Sequence, residues 1–89
     1  VKKRNIEKQI IKVIYALRVL GGIGSTIDIR KKCNELDYTE INLRACLRMM
    51  ERYGIVKKTR MSEESIELRW EFTDIEAVDN FLKESLANN

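Results

Sequence analysis

The chain has 89 residues, with 17 Lys/Arg against 14 Asp/Glu, no His, and a hydrophobic fraction of 44%. That suffices for one domain with a single modest core, and is too little for a second domain or for a core plus a roomy substrate pocket. It contains no run of 18 apolar residues, no lipidation signal and no secretory leader, so a cytoplasmic globular chain without a membrane span is expected.

The missing histidine removes the usual metal ligand and the usual general base at neutral pH. Cys33 and Cys46 fall on apolar faces of expected helices and lack a metal-type spacing, which reads as two buried, reduced thiols. With neither an activated nucleophile nor a metal cluster legible, no catalysis, metal or cofactor is expected. The net charge of +3 is unevenly spread: residues 1–20 carry +5, 21–52 carry +1, 53–72 balance, and 73–89 carry −3. The start is basic and the end acidic, which matters more for partners than the total.

Residues 1–4 (VKKR) read as a basic leader, either an arm for a nucleic-acid groove or a solubilising end. Asn5 is the expected N-cap of a helix over 5–20. Its core face is Ile6, Ile10, Val13, Ile14, Leu17 and Leu20, and Ile11, Tyr15 and Val19 add an apolar flank that hints at a partner. Gly21-Gly22 ends it. Ser25 and Asp28 have capping-box spacing and predict a second helix over 25–36, with Ile27, Ile29, Cys33 and Leu36 apolar and Arg30, Lys31 and Lys32 as a basic cluster.

A short turn near Asp37-Tyr38 then leads into a helix over 38–53, capped by Asp37 or Thr39. Leu43, Cys46, Leu47 and Met50 form its buried stripe, while Asn42, Arg44, Arg48 and Arg52 face away. The arginine row is either a contact surface or a solvated face paired with acids such as Glu51. Gly54 ends this helix, and the period changes from 3.6 to 2. A two-stranded hairpin is expected over 55–72, in which Ile66, Leu68, Trp70 and Phe72 alternate with Glu67, Arg69 and Glu71. Such a hairpin is marginal alone, so Trp70 and Phe72 must pack on the helices; a core role for Trp70 outweighs that of a stacking platform for a base. Thr73 and Glu76 predict the cap of a last helix over 74–87, with Ile75, Val78, Phe81, Leu82 and Leu86 apolar. Lys8 and Lys12 could face Asp79 and Glu84, within one chain or across a dimer.

Two short helices in a row, the second bearing an arginine row, have the layout of a helix-turn-helix. With MERYGIVKK (50–58) and WEFTD (70–74) following, the order of elements resembles the winged helix-turn-helix family of small bacterial and archaeal transcription regulators, over nearly the whole chain. The resemblance implies an α+β, mostly helical fold: three helices, a two-stranded wing and a C-terminal helix. It further implies binding of double-stranded DNA, with Thr39, Asn42, Arg44 and Arg48 reaching from the third helix and Lys57, Lys58, Arg60 and Arg69 from the wing. Arg30, Lys31 and Lys32 would meet phosphates. Glu63 and Glu64 should keep the wing tip off DNA. It also implies a homodimer through the first and last helices. The competing expectation is a winged helix used as a protein interaction module within a larger assembly.

Overall fold

The computed structural model describes residues 3–38, 40–60 and 67–87. In chain order these form α1 (Lys3–Val19), β1 (Ile23–Ser25), α2 (Thr26–Glu35), α3 (Leu43–Arg52), β2 (Val56–Arg60), β3 (Leu68–Phe72) and α4 (Ile75–Ala87). The fold is α+β and mostly helical, with one antiparallel sheet in the order β1-β3-β2. Among the described residues no helix is long and apolar enough to cross a membrane.

α1 supplies the centre of the core. Ile10, Val13, Ile14 and Leu17 are wholly buried along one stripe, and Ala16 beside them lets the neighbouring elements approach. The helix already runs at Lys3, so Asn5 lies within it and is not its cap; Lys and Arg are good helix formers and nothing in 3–4 stops propagation. At the other end Gly22 N–H donates to the Leu17 carbonyl (2.9 Å) and Gly21 N–H to Arg18 (3.0 Å), the paired bonds of a Schellman ending with Gly21 at φ 92°.

The same ending recurs twice. Ile55 N–H reaches the Met50 carbonyl and Gly54 N–H that of Glu51, closing α3 as Gly54 suggested. α2 closes likewise through Tyr38 to Cys33 and Asp37 to Asn34, but here the left-handed residue is Asp37, at φ 60°. Asp37 therefore terminates α2 and does not cap α3. Glu40 is also left-handed (φ 60°), so the backbone cannot be helical there and α3 begins only at Leu43. Its cap is Asn42, whose carboxamide oxygen accepts from Ala45 N–H at 3.2 Å. Thr39, the other expected cap, lies outside the described residues.

Asn42 is itself held from α1: its N–H donates to Gln9 Oε1 at 2.9 Å, and the Cys46 thiol points at the same oxygen from 3.7 Å. The start of α3 is thus fixed by its own cap and by a side chain from the core helix. Asn42→Ala is expected to cost about 1 kcal/mol, typical of a lost N-cap, with faster amide exchange confined to the first turn of α3. Urea denaturation followed by hydrogen exchange reads both; no change in either would remove Asn42 from this role.

The sheet has one strand more than expected. β1 follows Gly22 directly and pairs with β3 (Ile23 opposite Glu71, Ser25 opposite Arg69), while the Gly22 carbonyl accepts from Phe72 N–H. The hairpin is therefore not alone, and β3 is the central strand. Gly24 makes this possible, because a Cβ there would stand 3.1 Å from the Leu20 side chain. β2 is an open edge carrying Lys57, Lys58 and Arg60, charges that discourage pairing with other chains. Ser25 caps α2 as expected, accepting from Asp28 N–H at 3.1 Å.

Several apolar assignments differ. Ile29 and Cys33 are buried on α2, but Ile27 is 54% exposed and Leu36 partly so, because α2 shows only one face to α1 and its ends project past it. On α4 Val78 is buried and Phe81 and Leu82 pack on the core, whereas Ile75 and Leu86 are exposed. Thr73 does not cap α4. Its hydroxyl donates to the Gly54 and Ile55 carbonyls, tying the end of β3 to the start of β2, and Asp74 takes the cap through Glu76 N–H (3.0 Å). Asp79 pairs with Arg18 at 3.0 Å, not with Lys8 or Lys12. The Lys12 ammonium lies 5.9 Å from the Tyr38 ring centroid.

The two thiols sit where α2 and α3 meet. Burial pushes Cys46 up to about 11 from the usual 9.0, with the neighbouring Cys33 adding to the effect. Cys33 is raised as well, again by burial, with Arg30 opposing. A thiol whose folded pKa exceeds its unfolded value contributes stability that is fully present below the unfolded pKa and is lost as pH rises through the folded one. Denaturation midpoints are therefore expected to be insensitive to Cys46 up to about pH 8 and to fall between about 9 and 11. Cys46→Ala should flatten that decline; an unchanged decline would place its origin elsewhere.

Candidate nucleic-acid interface

Helix periodicity puts Arg44 and Arg48 one turn apart on the side of α3 opposite Leu43, Cys46, Leu47 and Met50, and both are exposed. They line a cleft of about 320 Å³ together with Lys58 of β2 and Thr26 of α2, over a floor that includes Trp70, Leu68 and Leu47. Two consecutive elements, α3 and β2, thus bring three cations to one concavity, and α2 adds the Thr26 hydroxyl. Among the described residues no carboxylate lies within 4 Å of Arg44 or Arg48, whereas Lys58 is 3.9 Å from Glu51. Glu51 therefore leans to the sheet and leaves the arginines unneutralised, an arrangement that suits an anionic partner.

Strand register sorts the remaining cations. Lys58 opposes Trp70 and Arg60 opposes Leu68, so both project from the face of the sheet that looks at α3. Lys57 opposes Glu71 and Thr59 opposes Arg69, which places Lys57 and Arg69 on the other face. There the Lys57 ammonium pairs with Glu71 at 3.3 Å, and Arg69 lines a separate cleft with Ser25, Asp28 and Glu67. The four wing cations are therefore split two and two.

The basic cluster of α2 divides as well. Arg30 is exposed and borders a separate cleft between α2 and the start of α3, shared with Tyr38, Glu40 and Leu43. Lys31 is exposed, and Lys32 is taken up by Glu35 at 2.6 Å. Asn42 spends its oxygen on the α3 cap. Arg52, at the last turn of α3, is exposed without an ion-pair partner among the described residues.

Trp70 is 6% exposed and its indole N–H donates to the Thr26 hydroxyl at 2.8 Å. That exposure leaves too little of the ring for a stacked base, and the bond joins β3 to the start of α2. Thr26 was not expected at the site. Its only sequence signal is its place directly after the Ser25 cap, at the exposed end of a helix. No family model, curated protein or solved structure matches this chain.

Proposed function

We propose that the chain is a winged helix-turn-helix module that binds double-stranded DNA as a transcription regulator, with α3 as the reading helix and β2–β3 as the wing. The observation that carries it is the meeting of Arg44, Arg48 and Lys58 in one cleft, with no carboxylate of the described residues within 4 Å of either arginine. The order α1, α2, α3, hairpin, α4 supports it, as does the turn of α2 into α3 through two left-handed residues. In this reading Arg44 and Arg48 contact guanine edges or phosphates, Lys58, Arg60 and Arg30 meet phosphates, and Lys57 and Arg69 stay away from the duplex.

Fluorescence anisotropy with a labelled pool of random duplexes tests it. Binding is expected at low salt and should fall steeply as salt rises, since each phosphate neutralised contributes about 0.9 to the log–log slope. A folded chain that does not bind at low salt overturns the proposal.

The second reading is an interaction module, and exposed apolar side chains on α1 and α4 favour it. Val19 is 61% and Ile75 59% exposed, with Tyr15 and Leu86 also open. Within the DNA reading the same side chains serve a homodimer, whose reading helices would meet half-sites about 34 Å apart. Sedimentation velocity at micromolar concentration is expected to give a dimer, and Val19→Asp to dissociate it. A sole monomer species would remove the dimer and leave these side chains to a different protein.

A further inference from the structure

A second cavity lies away from the arginines, between α4, the end of α3 and the start of α1. It measures about 450 Å³, a size that takes a small organic molecule. It is a gap between packed elements and not a hollow in the core, which is how a chain this short comes to have one. Tyr53 and Phe81 form its aromatic wall, their ring centroids 5.5 Å apart and their planes inclined at 36°. Buried Ser85, Asn80 and two acidic residues, Glu7 of α1 and Glu84 of α4, also line it. Among the described side chains no Lys or Arg lines it, and neither carboxylate has a basic group within 4 Å.

We propose that this cavity is a binding site for an organic ammonium ion with an apolar body about the size of one ring. The cation would sit between Glu7 and Glu84 and against the faces of Tyr53 and Phe81, where the ring quadrupole and the two carboxylates attract the same charge. An anion is disfavoured because the described lining carries two negative charges and no positive one. A hard metal ion is a poor fit, since it asks for six or more oxygen ligands and half of this lining is apolar or aromatic. The site is independent of DNA binding: Tyr53 and Arg44 lie at opposite ends of α3, about 14 Å apart along the axis at 1.5 Å per residue.

Benzylammonium chloride is the probe, titrated into the 15N-labelled full chain, with benzyl alcohol and sodium chloride at matched ionic strength as controls. Saturable shifts are expected at the amides of Ile55, Ala77, Phe81 and Ser85, with benzyl alcohol about tenfold weaker. Glu7→Gln/Glu84→Gln should weaken benzylammonium by about tenfold, each partly exposed ion pair being worth only a few-fold, and should leave benzyl alcohol unchanged. The carboxamide matches the carboxylate in size, and the unliganded spectrum checks that the variant is folded. Equal binding of benzyl alcohol, undiminished binding by the double variant, shifts scattered over the protein, or no saturable shift at all would each overturn the site.

Discussion

Arg44→Ala/Arg48→Ala is expected to weaken duplex binding by about 2 to 4 kcal/mol, or about 30- to 700-fold, and to lower the log–log salt slope by about 2 if both contacts are phosphates. The two outcomes separate roles: loss of affinity with an unchanged slope assigns the arginines to base edges, and loss of both assigns them to the backbone. Stability should not fall, because both side chains are exposed, neither has an ion-pair partner among the described residues, and Ala favours the helix. The control is Lys57→Ala/Arg69→Ala, which removes the same formal charge from the opposite face of the sheet. At near-physiological salt, where the Debye length is about 8 Å, it is expected to change binding by no more than about twofold, because both side chains project from the face turned away from α3. If the control loses as much as the arginine pair, binding follows net charge and the cleft has no special part in it.

What this comparison rests on was only partly legible from residues. The arginine row could be read because a helix period assigns faces without knowledge of the neighbours: burial of Leu43, Cys46, Leu47 and Met50 fixes where Arg44 and Arg48 must go. In the wing, the alternation put Arg69 on the face opposite Trp70, yet Arg69 was expected among the DNA contacts, because alternation does not say which face the third helix leaves to a duplex. The face of Lys57 and Lys58 depends on their register against β3, which no local signal in β2 sets. β1 was missed because a three-residue strand has no period, and its pairing is decided by Phe72, some fifty positions away. The glycine endings of α1 and α3 were visible, whereas the matching end of α2 uses Asp37, a residue type that more often starts helices than closes them. Asp37 and the left-handed Glu40 together moved the start of α3 from the expected 38 to Leu43. Thr73 and Asp74 show the same limit at α4: two adjacent residues could each cap it, and the choice fell to Asp74 because Thr73 is engaged by Gly54 and Ile55.

Trp70 is where stability and the cleft are coupled, and its replacement should have the largest effect on folding. Trp70→Ala removes a 94% buried indole from the central strand, an expected loss of about 3 to 5 kcal/mol. For a chain whose total stability is on the order of 5 to 13 kcal/mol, that lowers Tm by about 12 °C or more. Trp70→Phe keeps most of the volume and removes the donor, so it isolates the bond to Thr26; about 1 to 2 kcal/mol is expected. A cycle with Thr26→Val decides whether that bond links sheet to helix. Coupling of at least about 0.5 kcal/mol is expected, and additivity within about 0.3 kcal/mol would mean that the indole contributes through packing alone. Trp70→Phe takes no charge from the cleft, so any weakening of DNA binding should come without a change in salt slope. A reduced slope in that variant would show that the arginines had lost their positions, and hence that the Trp70–Thr26 bond holds β3 and α2 at the spacing on which the cleft depends.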